Sequence, residues 1–174
     1  CTPLVADTTF ATPGTIGVTT PVRIVPLAAT RGAGMPVRVP IVLPDGTPDL
    51  YVGQADVELR YDPSLLAFLQ VDVAAGSRLS QGAATVLDDR PGRLRLRLVH
   101  GGTLRGSGGL LDVVFRTAPV RDSVCTRVVL ARVIFDGGCI VPLLDSADVC
   151  IVPCPPPPAI VARGPVVLCP GATV

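Results

Sequence analysis

Proline and glycine are scattered along the whole chain, 19 of one and 18 of the other in 174 residues, rather than gathered into one tract. Proline fixes φ and removes a backbone donor, and glycine weakens any helix that contains it, so this spacing argues against long helices. The segments between are short, apolar and rich in β-branched residues: VRIVPL at 22–27, VRVPIVL at 37–43, GLLDVVFRT at 109–117 and ADVCIVP at 147–153. Runs of that kind, bounded by turn residues, read as strands, and a chain built of them is all-β.

Two segments carry the strand signature in full. In ADVELRY (55–61), Val57, Leu59 and Tyr61 fall on one face and Asp56, Glu58 and Arg60 on the other. In RLRLRLVH (93–100), Leu94, Leu96 and Leu98 alternate with Arg93, Arg95 and Arg97. Strict alternation marks a half-buried strand, because successive side chains point to opposite faces of a sheet. If the two segments pair, the Arg row meets Asp56 and Glu58, and such cross-strand pairs contribute roughly 0.2–1 kcal/mol each. Between them, DPSLLAFLQVDV opens with Asp62, Pro63 and Ser64, residues suited to a tight turn that returns Leu65, Leu66 and Phe68 to the core. PDGTPD (44–49) and Arg90-Pro91-Gly92 are further turns, GGTLRGSGG (101–109) reads as a loop, and TRVVLARVIFDGG supplies another late strand.

The length suits one domain with extensions. Nearly half the residues are apolar but only 3% are aromatic and none is Trp, so the core must be assembled from Val, Leu, Ile and Ala. A net charge of +1 lacks the concentrated basic field that a nucleic acid or an anionic membrane would demand, and no stretch approaches the ~20 apolar residues of a membrane span. All 15 basic residues are Arg, a coding bias more than a mechanism. No signal peptide is visible, but a chain beginning at Cys1 can be a processed form or an excerpt. Residues 1–20 suit an extended arm, linker or added strand, 21–152 form the sandwich, and PCPPPP (153–158) is a stiff polyproline spacer. Residues 159–174 are too few for a core: they are the start of a next domain, a docked strand, or a strand given to a neighbouring subunit.

Six cysteines are present: Cys1 alone at the front, then Cys125, Cys139, Cys150, Cys154 and Cys169. A zinc site would call for paired CxxC knuckles and more than one His, whereas disulfides fit and imply an oxidising, extracellular or periplasmic compartment. The nearest bridges join Cys125 to Cys139 or Cys139 to Cys150, and Cys1 can reach Cys154 or Cys169; the connectivity stays open.

From about Pro21 to Val152 the order of features resembles the cohesin-like modules, nine-stranded jelly-roll sandwiches of cellulosome scaffolds and of bacterial and archaeal surface proteins. The residues that carry the likeness are VRVPIVL, the stretch ADVELRYDPSLLAFLQVDV with its YDPSLL centre, GRLRLRLVHGGTLRGSGGLLDVVFRT, and VVLARVIFDGG leading into ADVCIV. The tail GPVVLCPGATV looks like the opening of an immunoglobulin-like repeat. The resemblance implies a binding or scaffolding role without a cofactor. It also implies that the sheet holding 55–61, 93–99 and part of 126–135 is the protein-binding face, here bearing Asp56, Glu58, Arg60, Arg93, Arg95 and Arg97.

Other functions find less support. His100 is the single histidine, set at a strand end before Gly-Gly, and no nucleophile elbow accompanies it, so it reads as a surface or turn residue. Asp45, Asp49, Asp88, Asp89, Asp145 and Asp148 match no calcium loop and suit turn capping, with Asp145 and Asp148 in DSAD the first to inspect. GGTLRGSGG lacks the Gly-Lys-Ser/Thr ending of a phosphate loop. A carbohydrate-binding module usually offers an aromatic platform, and only Tyr51 and the inward Tyr61 are available. The Arg row can bind an acidic partner or form a solvated, ion-paired face, and Asp56 and Glu58 favour the second. The expectation is therefore a secreted or cell-surface jelly-roll/Ig-like sandwich of about nine strands that binds another protein without catalysis. The alternative is a filament or surface-layer subunit, in which the terminal arms add strands to neighbouring copies.

Overall fold

The computed structural model describes residues 22–47, 49–73, 78, 82–104, 106–135 and 142–153. The arm, most of the polyproline spacer and the tail, with Cys1, Cys139, Cys154 and Cys169, lie outside the described residues.

Among the described residues eleven strands form: β1 (Arg23–Pro26), β2 (Ala29–Gly32), β3 (Pro36–Leu43), β4 (Leu50–Arg60), β5 (Leu66–Asp72), β6 (Ala83–Asp88), β7 (Arg93–Leu104), β8 (Gly108–Thr117), β9 (Val124–Phe135), β10 (Leu143–Leu144) and β11 (Ser146–Val152). They make two sheets, one in the order β10-β1-β3-β8-β5 and the other β2-β11-β9-β4-β7-β6. Most neighbours are antiparallel, but β1 runs parallel to β10 and β2 parallel to β11. The first described stretch thus contributes to both sheets and lies beside the last in each, which closes one side of the sandwich.

The alternation seen in the sequence decides which side chains meet between the sheets. Val57 and Leu59 of β4, Leu94, Leu96 and Leu98 of β7, and Val128, Leu130 and Val133 of β9 are buried and face Val37, Val39 and Ile41 of β3 and Leu111, Val113 and Phe115 of β8. Three aromatics cluster: Tyr61 lies 4.9 Å from Phe115, ring centre to ring centre, and Phe68 packs edge-on against the same ring at 6.4 Å. Such pairs add about 0.5–1.5 kcal/mol to the area they bury.

Two more strands form than the nine expected. The run at 22–27 is followed by a second short strand, β2, none of whose residues is buried. It has no apolar periodicity to reveal it and is held by its ladder to β11. The loop assigned to 101–109 is corrected as well. Gly102, Thr103 and Leu104 extend β7 and pair with Val52, Tyr51 and Leu50, and β8 begins at Gly108. Glycine allows but does not compel a break, and here the facing extension of β4 supplies the ladder. Gly106 takes a φ of 62°, and its N–H donates to Asp49 Oδ1 at 2.9 Å.

The turn at 62–66 forms as its residues suggest. Asp62 Oδ1 accepts from the Ser64 N–H at 2.8 Å and from its hydroxyl at 2.6 Å, and the Leu66 N–H donates to the Asp62 carbonyl at 2.9 Å. Gly92, at φ 81°, presses against this turn, and its carbonyl accepts from the Tyr61 N–H at 3.1 Å.

Candidate functional site

The outer surface of the six-stranded sheet collects the six residues expected on one face. β4 and β7 pair antiparallel with Asp56 opposite Arg97, Glu58 opposite Arg95 and Arg60 opposite Arg93. Since Val57 and Leu59 are buried, Asp56, Glu58 and Arg60 must point outward, and the same holds for Arg93, Arg95 and Arg97 around Leu94 and Leu96. On the other flank β9 sets Arg132 opposite Glu58 and Ile134 opposite Asp56.

The charges are ordered. Arg97 grips Asp56 with two parallel bonds, Nε to Oδ1 at 2.8 Å and Nη2 to Oδ2 at 3.1 Å. Arg93 Nη2 donates diagonally to Glu58 Oε2 at 2.8 Å, and Arg60 approaches Glu58 Oε1 at 3.4 Å. Fork-shaped, charge-assisted contacts of this kind hold both partners in position. Glu58 is buried to 8% exposure beneath these guanidinium groups. The Arg93 hydrogen bond holds its carboxyl below the ordinary carboxylate value, against the opposing effect of burial. Asp56 is lowered in the same way, first by the Arg97 hydrogen bond and then by the charges of Arg97, Arg95 and Arg132, with burial again opposing.

Glu58 leans toward Arg93 and Arg60, so the two guanidinium groups directly opposite it are left over. Among the described residues neither Arg95 nor Arg132 is ion-paired within 4 Å. They border an open depression of about 190 Å³ lined also by Asp56, Val57, Glu58 and Ile134. Arg132 was not singled out from the sequence. A bulge between Leu130 and Arg132 breaks the alternation of β9, so periodicity alone does not show which of its side chains face outward.

Other residues are placed differently from expectation. Cys125 and Cys150 face each other across β9 and β11 and form a disulfide, which replaces the bridges through Cys139 suggested by proximity in sequence. A cross-strand pair in register is nearer in space than a sequence neighbour beyond the strand end. His100 is neither a turn nor a surface residue: it continues the inward row of β7, is buried, and its Nδ1 has no hydrogen-bond partner among the described residues. It lines a narrow apolar niche with Val52, Ala55, Leu98, Leu110 and Phe135.

Asp145 pairs with Arg23 and accepts the Ser146 N–H at 2.8 Å, and Asp148 pairs with Arg127 at 3.1 Å. Among the described residues no three His, Cys, Asp or Glu side chains gather as metal ligands would. Asp88 pairs with Arg90 at 3.2 Å. Tyr61 is buried against Phe115 and offers no platform to a sugar. None of the described residues forms a helix long and apolar enough to cross a membrane.

The sandwich has the jelly-roll fold of cohesin modules. A cohesin in a type I cohesin–dockerin complex from Clostridium thermocellum superposes with a TM-score of 0.65 at 14% identity, over 78% of this chain and 96% of that one. The non-cellulosomal cohesin of the hyperthermophilic archaeon Archaeoglobus fulgidus gives 0.62 at 20% identity over 76% of this chain and 92% of its own. The cohesin module of a family 33 glycoside hydrolase from Clostridium perfringens gives 0.62 at 15% identity over 78% and 99%. No protein-family model and no curated protein matches the sequence. At these identities the likeness establishes the fold.

Proposed function

We propose that this domain is a non-catalytic protein-binding module of a secreted or cell-surface scaffold or adhesin, and that it binds through the outer face of the six-stranded sheet. One observation carries the reading most: on a fold shared almost end to end with cohesins, including one solved with a dockerin, that face presents a wide array of charged side chains held in place by one another. Side chains already fixed before docking lose less conformational freedom on binding, which favours recognition by a partner protein. The Cys125–Cys150 disulfide, on the same sheet, supports an oxidising compartment.

The test is to capture partners from the secreted proteins of the source cells on immobilised domain, and to map the footprint of a purified partner by hydrogen exchange. Protection over β4, β7 and β9 is expected. A footprint on the five-stranded sheet would sink the proposed face.

A second reading has one observation in its favour. β6 and β5 end their sheets on the side opposite the parallel closure, and Val86, Leu87 and Leu69 on them are exposed. Open edges of this kind accept an added strand. In this reading neighbouring copies donate their terminal arms and the protein forms filaments. Light scattering on the whole chain separates the two: oligomers that vanish when 1–20 or 159–174 is removed favour assembly, and a monomer throughout favours a module with a separate partner.

A further inference from the structure

Resting on the binding-face reading above, we infer that Arg95 and Arg132 form a clamp for an acidic side chain, Asp or Glu, of the partner protein. Three observations converge. First, the carboxylates of β4 are already committed: Asp56 to Arg97 by two hydrogen bonds, Glu58 to Arg93 and Arg60. Second, the residues directly across from Glu58 on either side, Arg95 on β7 and Arg132 on β9, are left without an ion-pair partner among the described residues. Third, the two stand at the rim of the 190 Å³ depression, which has room for a side-chain carboxylate with its bound water.

Charge decides the sign of the ligand. On this face Arg60, Arg93, Arg95, Arg97 and Arg132 outnumber Asp56 and Glu58, and Asp88, opposite Arg95 in the β6–β7 ladder, is paired with Arg90, so guanidinium groups are in excess. The strands flanking β4 are two ladder spacings apart, roughly 10 Å. One carboxylate entering between them is within reach of both flexible Arg side chains, each able to donate two parallel hydrogen bonds. Ile134, which points outward between the buried Val133 and Phe135, supplies the apolar side chain of the lining and suits the methylene groups of a Glu or Asp. A cationic partner would meet the two unpaired guanidinium groups head-on, which is unfavourable.

Hexaglutamate and hexalysine peptides serve as probes, titrated into 15N-labelled domain at low salt while the arginine Nε–H signals are followed by NMR. Hexaglutamate is expected to shift the Arg95 and Arg132 signals saturably, with little effect on Arg127, whose guanidinium is on the same face but already paired with Asp148. Arg95→Gln with Arg132→Gln is expected to weaken the peptide at least tenfold, with each single variant between. Hexalysine is expected to shift neither signal. Equal shifts at every exposed arginine, or no saturation, would overturn the clamp. So would a captured partner that docks on this sheet but binds the double variant with unchanged affinity, and that result would leave the binding face standing. A partner footprint on the other sheet would remove both.

Discussion

Gly92 shows how one residue can determine the geometry of a corner. Its φ of 81° is a left-handed conformation that costs an L-residue about 1–2 kcal/mol, and a Cβ there would lie 3.2 Å from the Tyr61 carbonyl oxygen and 3.3 Å from Pro63 Cδ. Gly46 has a similar φ of 84° with nothing within 4 Å of its would-be Cβ. Gly92→Ala is therefore expected to lower stability by roughly 2–3 kcal/mol and Gly46→Ala by about 1 kcal/mol, compared through their urea midpoints. Equal losses would show that the approach to Tyr61 and Pro63 is relaxed at no cost. Glu58 makes a different prediction. Its folded carboxyl titrates below the ordinary 4.5, so its pairing stabilises the fold fully above that value, and the contribution is lost as pH falls through the lowered folded value. The melting temperature of Glu58→Gln is expected to lie below that of the parent at pH 7, by the equivalent of about 1 kcal/mol, and the gap to shrink below about pH 4.5. A gap that stays constant down to pH 3 would mean that Arg93 and Arg60 do not bias this carboxyl.

At the scale of the strand, legibility followed periodicity. β4, β7 and β8 alternate or form continuous apolar runs, which mark them as strands, and the Arg row meets Asp56 and Glu58 as it would if the two alternating segments pair. β2 and β6 bury none of their residues and are held by backbone ladders, a kind of bonding that leaves no mark on composition. The left-over pair Arg95 and Arg132 was hidden for a related reason, since it depends on the diagonal lean of Glu58 and on a bulge in β9. Disulfide connectivity was unreadable because it depends on register: Cys125 and Cys150 are 25 residues apart in sequence and directly opposed in the ladder. That separation makes the bond consequential, since it closes a loop that the unfolded chain would otherwise explore. Replacing both cysteines by Ala is expected to cost roughly 2–4 kcal/mol, read from denaturation midpoints of the oxidised parent and the variant. A loss below about 0.5 kcal/mol would show that the β9–β11 ladder already restrains the unfolded chain at this point.

The described sandwich is held shut where its first and last strands meet. β1 lies parallel to β10 and β2 parallel to β11, so residues near 23–32 and 143–152 are bound together in both sheets, and the buried cluster includes residues from Val22 to Ile151. If the sandwich is complete at this closure, extensions beyond it add little to the cooperative unit. Residues 22–153 expressed alone are therefore expected to fold, to melt in one transition within a few degrees of the full chain, and to run as a monomer in light scattering. A fragment that melts far lower, or only regains the parent midpoint when a peptide of residues 1–20 or 159–174 is added, would show that a terminal segment completes the sheet. Since β5 and β6 are the strands whose outer edges lie away from the closure, hydrogen exchange on that rescued complex should then slow in Leu66–Asp72 or Ala83–Asp88 before it slows anywhere else. Slowing confined to β4 and β7 would instead place the added segment on the charged face, and the arms would compete with the acidic partner for it.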